Sequence, residues 1–467
     1  MDELLERAAA LASDYLEGVK ERPVGVPIDP GDLRAVLGGP MPETGEDPVA
    51  VVESLARDVE PGLVATAGPR YFGFVIGGSL PVTVATAWLA AAWDQNAGNY
   101  AAAPAAAVVE EVAAGWLVDL LGLPPGASVG FVTGATMANF TGLAAARHAV
   151  LRDAGWDVES KGLFGAPPIN VLVGEEAHTT IFVALRMLGL GADRVIKVAV
   201  DDQGRMRPDD LKRRLAAVTG PTIVGGQAGN VNSGAFDPLR PIAEAVRETG
   251  GWLHVDGAFG LWAAASDRYR SLTAGLELAD SWATDAHKTL NVPYDCGIAF
   301  TADPDAHRAA MNVTAAYLVR GSDDAYNAYD WVPESSRAAR GLGVYTALRV
   351  LGRAGVAAQV DRYGALARRM AERLSRADGV EILNDVGFTQ VLVRFAAPGE
   401  EAAAADRRTQ AVAAAVQRDG TCWLGTTTWH GLAAVRVSVS NASTTEQDID
   451  RSADAILRCA QTIEVAV

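Results

Sequence analysis

Asp285-Ala286-His287-Lys288-Thr289-Leu290, with His254-Val255-Asp256-Gly257-Ala258 upstream, is the part of this 467-residue chain that decides its fold. Trp252 to Asp256 and Ser281 to Asp285 are apolar runs of strand length, each closing on an aspartate. Lys288 is therefore expected just past a strand end, beside a histidine and an aspartate, where ordinary solvated lysines are rarely found. A protonated amine is inert near neutral pH. Desolvation, or a carbonyl compound to condense with, makes it a covalent anchor.

Pyridoxal phosphate fits that chemistry, because it needs an imine-forming lysine and a carboxylate that keeps its ring nitrogen protonated. Asp256 is the candidate carboxylate. Thr133-Gly134-Ala135-Thr136-Met137-Ala138-Asn139 follows the short strand Val129 to Val132 and opens a helix. Backbone N–H groups and a hydroxyl then meet where an anion would sit. Further strands are expected at 170–174, 194–198, 222–226 and 297–301, with helical stretches between several of them. That alternation argues for an α/β fold with a mainly parallel sheet, whose ligands bind at strand carboxyl ends.

Outside this block the texture differs. Residues 1–64 read as a helical arm (helix, loop, helix) that cannot form its own core. A large domain is expected over 65–312, and a mobile loop with a smaller α+β domain over 313–467. Helices are expected at 336–351 and 357–377, and strands at 380–383, 390–395 and 434–439. The loop carries Tyr317, Tyr326, Tyr329 and Trp331. Tyr71, Phe72, Trp93 and Tyr100 flank glycines and read either as core packing or as the walls of a substrate pocket. Arg436 reads equally as a clamp for a substrate carboxylate or as a structural ion pair.

A formal net charge of -17 argues against nucleic acid and anionic membranes as partners. Three cysteines, Cys296, Cys422 and Cys459, make no metal knuckle or CxxC pair, so no metal is expected and a reduced cytoplasmic setting is the default. The acidic, amphipathic start lacks the features of a signal peptide, and no apolar run is long enough to cross a bilayer.

Several blocks together resemble the group II pyridoxal-phosphate-dependent amino-acid decarboxylases, a fold-type I family that includes aromatic amino-acid and glutamate decarboxylases. They are Pro69-Arg70-Tyr71-Phe72-Gly73, Thr133 to Asn139, Glu176-Ala177-His178-Thr179, Gly234-Ala235-Phe236-Asp237-Pro238, His254-Val255-Asp256 and Asp285-Ala286-His287-Lys288. The resemblance implies that Lys288 carries the cofactor as an imine and that Asp256 pairs with the ring nitrogen. It places His178 on one face of the ring and Ala258 on the other, with Ala135, Thr136 and His287 at the phosphate. His178 is also well placed merely to cap a helix.

The family further implies a homodimer with its site at the interface, and a loop tyrosine that protonates the α-carbon. Tyr329 is the candidate and Tyr326 competes. Relatives lacking that tyrosine give an aldehyde instead of an amine, and β-elimination by the same scaffold stands as another outcome. A silent pyridoxal-phosphate-binding scaffold is the reading outside enzymology. Ala105-Ala106-Ala107 stands where many relatives carry polar residues before the glutamate, a departure that leaves substrate recognition on that side open; Tyr71, Phe72, Trp93 and Tyr100 favour an aromatic or apolar substrate side chain.

Overall fold

The computed structural model describes residues 2–25, 27–312 and 326–464. The expected Tyr317 and the first part of the loop, 315–325, lie outside them. The chain divides into two compact units, Gly77–Ala365 with Asn384–Gln390, and Met1–Ile76 with Leu366–Leu383 and Val391–Val467.

In chain order the α-helices are α1 (Asp2–Gly18), α2 (Pro30–Leu37), α3 (Pro48–Val59), α4 (Pro81–Trp93), α5 (Pro104–Leu120), α6 (Ala135–Asp153) and α7 (Val158–Lys161). They continue with α8 (Thr179–Met187), α9 (Pro208–Leu215), α10 (Leu239–Glu248), α11 (Pro304–Met311), α12 (Gly341–Leu374), α13 (Ala402–Asp419) and α14 (Glu446–Glu464). The larger unit's strands are β1 (Ser128–Val132), β2 (Asn170–Gly174), β3 (Ile196–Val198), β4 (Thr222–Gln227), β5 (Trp252–Asp256), β6 (Ser281–Asp285) and β7 (Gly297–Thr301).

These seven strands form one sheet in the order β1-β7-β6-β5-β4-β2-β3. From β3 through β6 every pairing is parallel, whereas β7 runs against both β6 and β1. The sheet is thus mainly parallel as expected, and mixed only through the one reversed strand, β7. β1, β4, β5, β6 and β7 are buried along their whole length, as strands covered on both faces are. α6 lies across β5, β6 and β7. It is rich in alanine and carries Gly142 on its course, and small side chains let its backbone come close to the sheet.

Gly297 aligns the reactive end of this sheet. It is the register partner of Val132 on one side and Asp285 on the other. A Cβ on Gly297 would sit 2.4 Å from the Cα of Gly134, so only glycine lets the β1–α6 turn fold over the start of β7. That approach brings the turn to Asp285.

The smaller unit has β8 (Val380–Ile382), β9 (Gln390–Phe395), β10 (Gly425–Trp429) and β11 (Leu432–Ser438) in the order β10-β11-β9-β8. α13 packs on β11 and on α14, and α1 and α2 pack on α3. β10 is a strand that the sequence did not announce. α2 falls inside the stretch expected to be loop, where Asp29 accepts an N–H bond at the helix start and Pro30 supplies the fixed φ of a first turn. The two helices expected over 336–377 are segments of α12, broken at Gly352 with φ 60° and ψ 179°. Helix begins only at Gly341, because Arg337 is held in a non-helical stretch by a buried ion pair with Glu110.

Candidate active site

Asp285, His287 and Lys288 come together with the start of α6. Lys288 Nζ lies 2.8 Å from Asp285 Oδ2, and Asp285 Oδ1 accepts the Ala135 N–H at 2.6 Å. The lysine is only partly buried, while the aspartate is nearly inaccessible. His287 Nε2 stands 3.5 Å from the same Oδ1, and its Nδ1 accepts the Cys296 N–H at 3.1 Å. Since Nδ1 is an acceptor, the ring proton of the neutral form is on Nε2, facing Asp285. Burial pulls the imidazole's pKa down, with the Lys288 charge adding to the effect and Asp285 opposing it.

At the start of α6 Gly134 occupies the N-cap position and offers no side chain to the helix. Asp285 takes the Ala135 N–H, and the other N–H groups of a helix's first turn, which have no intrahelical partner, attract an anion; Thr136, half-buried in that turn, adds a hydroxyl. The donor set suits a phosphorylated carbonyl cofactor: an amine, a buried carboxylate and an open helix start.

The carboxylate is Asp256, at the end of β5. Its Oδ1 accepts the Ala258 N–H at 3.1 Å and its Oδ2 accepts a proton of the Asn139 amide, also at 3.1 Å. His178 is the N-cap residue of α8, where its side chain accepts the Thr180 N–H. Its Nδ1 is 2.8 Å from Thr180 Oγ1, so the plain capping role exists beside any role toward a cofactor. Asn139 Nδ2 reaches the same Thr180 Oγ1 at 3.2 Å.

The remaining expected residues fall elsewhere. Tyr71 and Phe72 belong to the smaller unit's core: Tyr71 stacks on Trp423 with centroids 5.0 Å apart, and burial pushes its hydroxyl up to about 12. Phe72 exchanges backbone bonds with Trp423 and Ser438. Arg436 is in the same unit, on β11, and burial lowers its pKa. Trp93 and Tyr100, in the larger unit, are both exposed. Tyr326 donates its hydroxyl to the Val129 carbonyl at 3.3 Å, three residues back along β1 from Val132, and Tyr329 is buried. Among the described residues no cluster of His, Cys, Asp and Glu suits a metal ion, and no helix is long and apolar enough to cross a membrane.

Asn139, Thr180, Glu110 and Arg337 were not singled out from the sequence. A period-2 signal was available for His254, which shares a face of β5 with Asp256. Asn139 carries no such signal, because its importance comes from the crossing of α6 over β5.

Comparison with known proteins agrees with this geometry. The model of the pyridoxal-dependent decarboxylase conserved domain matches residues 30–396. An aromatic-L-amino-acid decarboxylase of Bacillus atrophaeus is 27% identical over 402 residues, covering 85% of this chain and 82% of the relative. A cysteine sulfinic acid decarboxylase of Mus musculus is 29% identical over 440 residues, 90% of this chain and 88% of that one. The crystal structure of Oryza sativa TDC with PLP and tryptamine shares the fold, with a TM-score of 0.91 at 24% identity over 99% of this chain and 97% of the other.

Proposed function

Because the chain belongs to the pyridoxal-dependent decarboxylase family, we propose that it removes the carboxyl group of an amino acid with an aromatic or apolar side chain, releasing an amine and carbon dioxide. The observation that carries this reading is Lys288 held 2.8 Å from Asp285 at the same sheet end as the carboxylate of Asp256. Two features support the substrate class: Ala106 and Ala107, at the start of α5, are buried and apolar, and one relative acts on aromatic amino acids.

Bound pyridoxal phosphate supplies a sink for the electron pair left behind when the carboxylate departs. Toward that group Lys288 is the anchor. Asp285 Oδ2 is placed to take the proton that Nζ sheds before it attacks a carbonyl. Asp256 would hold the ring nitrogen's proton; the start of α6 with Ala135 and Thr136, together with His287, would hold the phosphate; His178 and Ala258 would confine the ring from its two faces. We assign this chemistry to the 65–312 portion, with the arm (1–64) and C-terminal region (313–467) completing a cytoplasmic homodimer whose site lies at its interface. The apolar residues that the arm leaves exposed, Leu5, Val51 and Leu55 among them, support the dimer.

A second reading is favoured by the position of Tyr326 and Tyr329, one bonded to a β1 carbonyl and the other buried. Without a tyrosine placed to protonate the α-carbon, the overall reaction would consume dioxygen and water with the amino acid and give an aldehyde, carbon dioxide, ammonia and hydrogen peroxide.

Purified protein supplied with pyridoxal phosphate is expected to show an imine absorbance that borohydride fixes and Lys288→Ala abolishes. An unchanged spectrum in that variant would remove the cofactor assignment. A product screen across the amino acids, scoring amine against aldehyde with peroxide, then separates the two reactions.

A further inference from the structure

Behind Asp256 runs an unbroken line of buried hydrogen bonds that the reaction itself does not require. The indole Nε1 of Trp252 is 2.9 Å from Ser281 Oγ, and Ser281 Oγ is 2.8 Å from His254 Nδ1. His254 Nε2 is 2.9 Å from Asn139 Oδ1, and Asn139 Nδ2 reaches Asp256 Oδ2 at 3.1 Å and Thr180 Oγ1 at 3.2 Å. His254, Asn139 and Ser281 have no accessible surface.

The acceptor-only carboxylate of Asp256 sets the directions: it takes a proton of the Asn139 amide, so Asn139 Oδ1 faces His254 Nε2. His254 Nδ1 then accepts from Ser281 Oγ, which itself accepts the Trp252 indole N–H. The histidine proton is then on Nε2, pointing at Asn139 Oδ1. Burial lowers the His254 pKa to about 3, which leaves it a single proton at neutral pH. With Oδ1 committed, both protons of the Asn139 amide are free for Asp256 and for Thr180. A flipped amide would set oxygen against the carboxylate. Thr180 accepts from Asn139 and passes its hydroxyl proton to His178 Nδ1 at 2.8 Å, which leaves the proton of neutral His178 on Nε2.

The fold reserves space for this line. Gly142 lies three residues after Asn139 on α6, and a Cβ there would come within 2.8 Å of both Cε1 and Nδ1 of His254. The imidazole occupies the room that the missing side chain leaves.

We infer that Asn139, held in one orientation by neutral His254, is the positioning residue that orients Asp256 and, through Thr180, sets the tautomer of His178. The inference rests on the reading of Asp256 and His178 as the residues that meet the cofactor ring. A single amide thereby couples the carboxylate at the ring nitrogen to the imidazole at the ring face. Partners of this kind, one bond behind a reacting group, typically change affinity or activity by about 10- to 100-fold when removed.

The test measures the dissociation constant of pyridoxal phosphate by fluorescence quenching in the full-length protein, with kcat and KM on the substrate the screen finds. Asn139→Leu and Asn139→Asp are expected to weaken cofactor binding about tenfold or more and to lower kcat with KM little changed. The aspartate is expected to be the worse of the two, because it faces Asp256 with like charge. His254→Leu should behave as Asn139→Leu does, whereas His254→Gln keeps an N–H donor for Asn139 and should bind within about threefold of wild type. Wild-type affinity in Asn139→Leu, or equal loss in His254→Gln and His254→Leu, would overturn the inference. Should Asn139→Leu fail to fold, the two His254 variants decide. Failure of the underlying reading has its own signature, a wild-type protein with no imine absorbance.

Discussion

Lys288, Asp285 and Asp256 are legible in the sequence because each ends or follows a short apolar run, and strand ends are where an α/β sheet presents its chemistry. Asn139 and His307 are not, because their partners are remote in the chain. His307 is buried, with Nε2 donating to the Trp331 carbonyl at 2.9 Å and Nδ1 accepting from Ser128 Oγ at 2.8 Å. Burial lowers its pKa to about 4, the Trp331 bond opposing the shift. In the unfolded chain a histidine titrates near 6.5. Between those values the unfolded state binds a proton that the folded state refuses, so this group's stabilisation is full above about pH 6.5 and is lost as pH falls toward 4. Replacing it with glutamine removes that dependence. Between pH 7 and pH 5 the wild type should lose about 1–2 kcal/mol more stability than His307→Gln. Urea denaturation at the two values measures the difference, and parallel losses in both proteins would contradict it.

At the scale of elements, α6 and the segment 326–340 show what the sequence withholds. The start of α6 is visible as a small-residue turn, but its passage over β5, which creates the Asn139 node, is a property of the folded sheet. The stretch expected as mobile loop is tied down over its described part. Arg337 gives two bonds to Glu110, at 2.7 and 2.9 Å, and others to the carbonyls of Ala97 and Phe131, with both side chains essentially inaccessible. Glu110 also accepts the Gly341 N–H at 3.2 Å, so one carboxylate fixes both the end of the segment and the start of α12. Nothing in a glutamate and an arginine 227 positions apart announces this pairing. Removing one partner leaves the other charge buried and unpaired, which costs about 3–5 kcal/mol, whereas replacing both with apolar residues of similar size is often close to neutral. Glu110→Ala should therefore lower the melting temperature strongly and open 326–340 to proteolysis. Glu110→Leu with Arg337→Met should recover most of the loss. A single variant as stable and protease-resistant as wild type would show that the pair does not hold the segment.

For the whole molecule, the two units each leave apolar surface uncovered. α2 and α3 bury no residue, and α1–α3 expose Leu5, Val36, Leu37, Val51 and Leu55. α4 in the other unit exposes Trp88, Leu89 and Trp93, about half of each side chain's surface. Contiguous apolar surface on helices with polar flanks marks association sites. Self-association must overcome charge, since each chain carries a formal -17. Salt screens that repulsion, with a Debye length of about 8 Å at roughly 0.15 M, and leaves apolar contacts intact. Light scattering at micromolar concentration should give twice the 48.7 kDa chain mass, and the dimer should tighten as salt is raised. Trp88→Glu with Leu89→Glu should yield a monomer, because two carboxylates buried without partners outweigh what the contact gains. A protein that stays monomeric in salt would refute the dimer. One that dissociates as salt rises would show an interface made by ion pairs, and these helices would then not be its surface.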